Sequence, residues 1–114
     1  MEVPKVIIVE GKTDREHVLR VLAEPVEIVC TFGTLSDSKI EQLIVPLQMR
    51  EVFILVDADR AGNKLRRQLR EELPNAKHLY TRMMYRGVAS TPLDFLAKIL
   101  SEAHFVINEQ CLQN

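Results

Sequence analysis

The chain has 114 residues, 46% of them hydrophobic, which suits one folded domain spanning 1–114 and argues against disorder. Its formal net charge is −1, which excludes a surface that grips a polyanion as a whole, so any nucleic-acid affinity must come from a local patch or a metal. No apolar run approaches the roughly 18 residues of a membrane span and no signal-peptide pattern opens the chain, so a cytoplasmic protein without a membrane partner is expected.

In chain order, Val3 to Val9 is a continuous apolar run, the mark of a strand buried on both faces. Thr13-Asp14-Arg15-Glu16 then reads as a capping box, and the helix with Val18, Leu19, Leu22 and Ala23 ends before Pro25. Val26 to Thr31 predicts a second strand, followed by the turn Phe32-Gly33-Thr34. Ser38-Lys39-Ile40-Glu41 reads as another capping box, opening a helix with Ile40, Leu43, Ile44 and Leu47 on one face. Glu51 to Val56 predicts the third strand, which runs into Asp57-Ala58-Asp59-Arg60-Ala61-Gly62. Leu65, Leu69 and Leu73 then recur at helical spacing until Pro74, and Lys77 to Thr81 predicts a fourth strand. After an irregular stretch from Arg82 to Ser90, Thr91-Pro92-Leu93-Asp94 opens the last helix, with proline at its first position.

This alternation of buried strands with amphipathic helices predicts an α/β fold, a parallel sheet of about four strands with helices on both faces. Cys30 and Cys111 read as free thiols of a reducing compartment. His17, His78 and His104 have no zinc-like spacing with either cysteine, so no structural zinc is expected.

Ligands of an open parallel sheet bind outside the carboxyl ends of its strands. Glu10 ends the first strand, and Asp57 with Asp59 ends the third. If these strands are neighbours, the carboxylates converge, and their repulsion calls for a proton or a cation. Hard oxygen ligands one residue apart suit Mg²⁺ and metal-assisted phosphoryl transfer or phosphodiester hydrolysis. Blander readings stand beside this one. Asp59 is also placed to cap the next helix, and Glu10 to be a solvated strand end. Gly11, Gly33 and Gly62 read as structural turns, with left-handed backbone expected at Gly11 and Gly62. Lys64, Arg66, Arg67 and Arg70 lie off the leucine face, either as a solvated surface or as a phosphate-tracking stripe. Met83, Met84 and Tyr85 read as packing or loop residues.

Two other motif readings compete with this one. Gly11-Lys12-Thr13 has the ending of a P-loop, but that motif needs a glycine where Val6 stands, and Ile7 to Val9 form a strand where the phosphate cradle should be. A receiver-type signalling domain would place its phosphorylated aspartate at Asp57 and a hydroxyl at Thr81. It also requires an acidic pair after the first strand, where this chain has Glu10-Gly11, and a fifth strand with a lysine, which nothing after Ser90 supplies.

With Glu10-Gly11-x-x-Asp14, Asp57-x-Asp59-x-x-Gly62 and the turn "TFGT" in order, the sequence resembles the Toprim domain of topoisomerases, bacterial primases, nucleases and recombination proteins. The segments "VEGKTD", "DADRAGNKLRR", "PNAKHLY" and "RGVAS" resemble most closely the Toprim half of the nucleases that mature 5S ribosomal RNA. The resemblance implies a three-layer α/β/α, Rossmann-like Toprim fold in a small stand-alone protein. It also implies Glu10 as proton-transfer residue and metal contact, Asp57 and Asp59 as ligands of Mg²⁺ or Mn²⁺, and Lys12 as a phosphate contact. Asp14 has a competing role in its capping box. Ala58 stands where relatives often have proline, and the additional domain with which the maturases would grip RNA is not expected here. Tyr80 and Tyr85 have no strand-passage domain to serve. The implied function is Mg²⁺-dependent phosphodiester chemistry on nucleic acid, RNA rather than DNA, as an RNA-processing-type nuclease. The alternative is a non-catalytic nucleic-acid or protein-binding module that needs a partner, and a homodimer or protein partner is plausible in either case.

Overall fold

The computed structural model describes residues 3–112, so the ends of the expected 1–114 domain, residues 1–2 and 113–114, lie outside the described residues. Four strands form one sheet: β1 (Lys5–Val9), β2 (Val26–Cys30), β3 (Val52–Leu55) and β4 (Lys77–Leu79). Their order is β2-β1-β3-β4 and every pairing is parallel, with Val6 opposite Val52 and Ile8 opposite Ile54 across the central pair. The expected α/β sheet is therefore present. β1 and β3 lie inside it, which is why Val6–Val9 and Val52–Leu55 are continuously apolar, whereas β2 and β4 are edges and only partly buried.

Successive side chains on a strand point to opposite faces. Val6, Ile8, Ile54 and Val56 accordingly pack on one side with Ile44, Leu47, Leu65, Leu69 and Leu73. Ile7, Val9, Phe53 and Leu55 pack on the other with Val18, Val21, Leu96, Leu100 and Phe105. The second and third helical segments, α2 (Asp37–Lys39, continued by the turns Ile40–Ile44 and Val45–Leu47) and α3 (Arg60–Glu72), cover the first face. Helices α1 (Lys12–Val21) and α4 (Leu93–Glu102) cover the second, giving the three-layer α/β/α arrangement. Among the described residues no helix is long and apolar enough to cross a membrane.

Several local expectations shift. The N-cap of α1 lies two residues before the expected one, at Gly11 instead of Thr13, and Asp14 rather than Glu16 reaches back to accept the Gly11 N–H at 3.0 Å. Gly11 has no side chain to return the bond, so only half of a capping box forms. Ser36, not Ser38, caps α2, its Oγ accepting the Lys39 N–H at 3.2 Å. That helix then widens into a π turn closed by Val45 N–H on Ile40 O and tightens again at Val45–Leu47. Pro46 has no N–H with which to continue a regular ladder, which accounts for the change. Pro92 precedes α4 in extended conformation instead of forming its first turn. A final 3₁₀ turn forms at Glu109–Leu112, beyond the last helix that the sequence pattern predicts.

Candidate active site at the carboxyl edge of the sheet

Because β1 and β3 are hydrogen-bonded neighbours, the residues that leave them meet. Glu10 Oε1 accepts the Asp57 backbone N–H at 2.8 Å, joining the two acidic motifs across 47 residues of chain. Asp57 Oδ1 in turn accepts the Val88 N–H at 2.8 Å from the loop after β4. Two glycines make this packing possible. A Cβ on Gly62 would lie 1.9 Å from the Asp57 carbonyl oxygen, and one on Gly87 would lie 2.9 Å from Asp57 Oδ1. The first turn of α3 and the loop after β4 thus both press their backbones onto Asp57. The left-handed backbone expected at Gly11 and Gly62 is absent: Gly11 is extended, Gly62 serves close approach within α3, and Gly33 alone among the described glycines has a positive φ, +102°.

Asp59 does cap α3, its Oδ1 accepting the Gly62 N–H at 2.7 Å. Asp14 is buried and fixed at the start of α1. Glu10, Asp14 and Asp57 share a cleft of ≈ 590 Å³ with Thr13, Phe32, Arg86, Gly87 and Ser90. Another cleft, of ≈ 370 Å³, includes Leu47, Arg50, Val52, Glu72 and Pro74 at the opposite end of β3, and Glu10, Asp14, Asp57 and Asp59 are not part of its wall.

The electrostatics of the carboxyl edge follow from crowding. Burial raises the pKa of Glu10, the Asp57 N–H opposes the rise, and the charges of Asp57, Asp59 and Asp14 add to it. Burial also raises that of Asp14, followed by the charge of Asp57, against the Gly11 and Ala89 N–H groups and His17. Such a cluster is relieved by a proton or a cation. Glu10, Asp57 and Asp59 each keep one carboxylate oxygen outside the bonds just described, Oε2 and the two Oδ2 atoms, and hard oxygens are the donors Mg²⁺ takes. Among the described residues no three acidic, histidine or cysteine side chains stand ready as a metal-holding group. Holding Mg²⁺ therefore requires rotation of these carboxylates or water in the remaining positions, and Mg²⁺ retains several waters in most of its sites.

The basic residues divide. Lys12, Lys64, Arg67 and Arg70 are exposed. Lys12 begins α1 but is not part of the cleft wall. Arg66 corrects the expected stripe, because it is 2% exposed and is not available to track phosphate. Its guanidinium donates to Val56 O at 3.2 Å and to Leu79 O at 2.7 Å, and stands 3.0 Å from His78 Nδ1. Arginine has no acceptor, so His78 Nδ1 accepts and the ring is neutral. Burial, Arg66 and Arg70 all push the His78 pKa down, in agreement with that state. The reason for the misplacement is that α3 is covered on more than its leucine face: Arg66 lies over the ends of β3 and β4, stacked on Tyr80 at 4.1 Å.

Phe32, Arg86, Gly87 and the Val88 N–H belong to the site although neither acidic motif of the sequence contains them. Gly87 within "RGVAS" was the available signal, since a glycine in a loop beyond the last strand can mark close approach to a side chain.

The Toprim domain family matches residues 5–84 of the chain. YusF of Bacillus subtilis (strain 168), an uncharacterized protein, is 44% identical over 107 residues, covering 94% of this chain and 73% of YusF. Ribonuclease M5 of Bacillus anthracis is 34% identical over 81 residues, covering 70% of this chain and 43% of that protein. The chain thus spans less than half the length of this ribonuclease relative. A small Toprim domain protein from Bacillus stearothermophilus superposes with a TM-score of 0.92 at 48% identity, covering 100% of this chain and 97% of its own.

Proposed function

The chain belongs to the Toprim family, and from that premise we propose that it performs Mg²⁺- or Mn²⁺-dependent phosphodiester chemistry on nucleic acid, as an RNA-processing-type nuclease. The observation that carries this reading is the 2.8 Å bond from the Asp57 N–H to Glu10 Oε1, which holds an acid from each motif at one strand edge. Bound Mg²⁺ supplies stabilisation of the negative charge that develops on a scissile phosphate. Asp57 and Asp59 offer their remaining carboxylate oxygens as ligands. Val88 fixes the direction of the Asp57 side chain, and Gly62 fixes that of Asp59. Glu10 moves the proton, and its raised pKa brings a carboxyl group nearer the pH at which it can both hold and release one. Lys12, Lys64, Arg67 and Arg70 contribute exposed positive charge for phosphate. RNA is favoured over DNA because the chain is similar to proteins named ribonuclease M5. The free thiols Cys30 and Cys111 suit a reducing cytosol.

A panel of labelled structured RNAs and DNAs, incubated with Mg²⁺ or Mn²⁺, tests the reading. Metal-dependent cleavage by the wild type is expected, with loss in both Glu10→Gln and Asp57→Asn. Cleavage that survives both substitutions overturns the assigned site.

A second reading, a binding module that depends on a partner for catalysis, is favoured by one feature. Glu10, Asp14, Asp57 and Asp59 each already accept a backbone N–H, so the acids serve the fold as it stands. Salt-sensitive nucleic-acid binding without turnover supports this reading over the first.

A further inference from the structure

The cleft has a feature that the carboxylates do not explain. Among the described residues three non-glycine positions have positive φ, and two of them, Phe32 (φ 52°) and Arg86 (φ 68°), line it. A side chain in this region of the backbone map costs of order 1 kcal/mol, and such residues cluster where the surroundings hold them for function.

At Phe32 that holding is visible. Its N–H donates to Glu10 O at 2.8 Å, and Lys39 Nζ donates to Thr31 O at 3.0 Å and to Phe32 O at 3.3 Å. The turn is pinned to the catalytic strand on one side and to α2 on the other. Packing does not repay the strain, because Phe32 is 68% exposed. The fold therefore displays an aromatic ring next to Glu10 that it does not use for its own core. Arg86 stands in the same cleft as Asp14 and Asp57, yet its guanidinium enters no ion pair or hydrogen bond among the described residues. In sheet order, β1 and β3 with their acids lie between the strands that lead to these two residues.

We propose that Phe32 is a stacking platform for one unpaired base of the bound nucleic acid and that Arg86 holds the phosphate of that nucleotide. The inference rests on the nucleic-acid reading above and narrows it to a substrate with a single-stranded segment at the scissile position. A base offers a π-face to an exposed phenyl ring only when it is out of a duplex, and the guanidinium fork matches phosphate oxygens. A cleft of ≈ 590 Å³ has the volume of a small-molecule site, enough for one nucleotide beside the carboxylates.

The test is fluorescence anisotropy with a labelled single-stranded RNA oligonucleotide and a blunt RNA duplex of the same sequence, using the full chain in Ca²⁺. The wild type is expected to prefer the single strand. Phe32→Ala should weaken single-strand binding about 5- to 150-fold and duplex binding far less, while Phe32→Trp restores it. Arg86→Ala should weaken binding and lower the slope of log K against log salt by about one. Phe32→Gly should lose single-strand binding but melt at the same or a higher temperature, since glycine relieves the backbone strain. A lower melting temperature for Phe32→Gly would assign the ring to packing and overturn the proposal. Unchanged single-strand binding in Phe32→Ala, or equal losses on both probes, overturns it too and leaves the nucleic-acid reading intact. If the wild type binds neither probe, that reading falls with it. If Phe32→Ala instead abolishes self-association of the chain in sedimentation and leaves RNA binding unchanged, the ring is a protein interface and the proposal is wrong.

Discussion

Glu10 Oε1 lies 2.8 Å from the backbone nitrogen of Asp57 and accepts its hydrogen, so one acid holds the main chain that carries the other. The position of Asp57 is thus coupled to the side chain of Glu10 as well as to β3. Proton transfer and metal holding, the roles proposed for the two residues, would share a single mechanical joint.

That joint separates two substitutions at Glu10. Glu10→Gln retains an oxygen for the Asp57 N–H and should cost less than about 1 kcal/mol of stability while abolishing cleavage. Glu10→Ala leaves a partly buried donor unpaired and should cost about 1–3 kcal/mol. Urea denaturation beside the cleavage assay checks both, and equal stability losses in the two variants would contradict the joint.

The glycines around Asp57 should rank by what their new Cβ meets. Gly62→Ala places it 1.9 Å from the Asp57 carbonyl oxygen and should destabilise by more than about 2 kcal/mol. Gly87→Ala meets side-chain rather than backbone atoms of Asp57, at 2.9 Å, and should push that carboxylate off the Val88 N–H, so its main effect should be weaker Mg²⁺ binding by calorimetry, with a smaller loss of stability. Gly11→Ala finds the Asp14 carboxylate at 3.8 Å and a permitted φ of −144°, and should be within about 0.5 kcal/mol of wild type.

Proton and cation should compete at this edge. Burial, reinforced by neighbouring carboxylates, raises the pKa of both Glu10 and Asp14, so the folded chain holds these protons more tightly than the unfolded chain. By linkage, the stability they contribute is full below the unfolded carboxylate pKa and is lost as pH rises through the folded values. The melting temperature of Glu10→Gln relative to wild type should therefore increase as pH climbs from the carboxylate range to neutral. Added Mg²⁺ should raise the wild-type melting temperature more at pH 7.5 than at pH 4. Thermal melts across this range check both statements, and an Mg²⁺ effect independent of pH would argue against a site made of these acids.

Arg66 and Arg67 are sequence neighbours with opposite expected phenotypes. Arg66→Ala removes the donor shared by Val56 O and Leu79 O and should cost about 3 kcal/mol in chemical denaturation. Arg66→Lys should recover little, because an ammonium cannot reproduce the planar fork or its stacking on Tyr80. Arg67→Ala should leave stability within about 0.5 kcal/mol and weaken nucleic-acid binding, with a shallower salt dependence.

The chain's own pattern carried most of the architecture. Val6 to Val9 and Val52 to Val56 are continuously apolar because both faces of those strands are buried, and the leucines of α3 mark its inward face. Glu10, Asp57 and Asp59 stood out because acids directly after buried strands cannot be core residues. Helix starts were less legible. Gly11 and Ser36, not Thr13 and Ser38, proved to be the caps, since a cap depends on where the chain leaves the preceding turn and several nearby polar residues can serve.

Linear spacing settled which residue types stand at the strand ends, because burial and period act on the chain locally. It did not settle which ends are neighbours. The order β2-β1-β3-β4 is a property of long-range pairing, and that order alone puts Glu10 against Asp57. The same holds for Arg66, which one helical face makes a surface cation and the approach of β4 makes a buried clamp. Gly87, Arg86 and Phe32 join the site for this reason too: turns distant in sequence are brought over one sheet edge by packing that no local window contains.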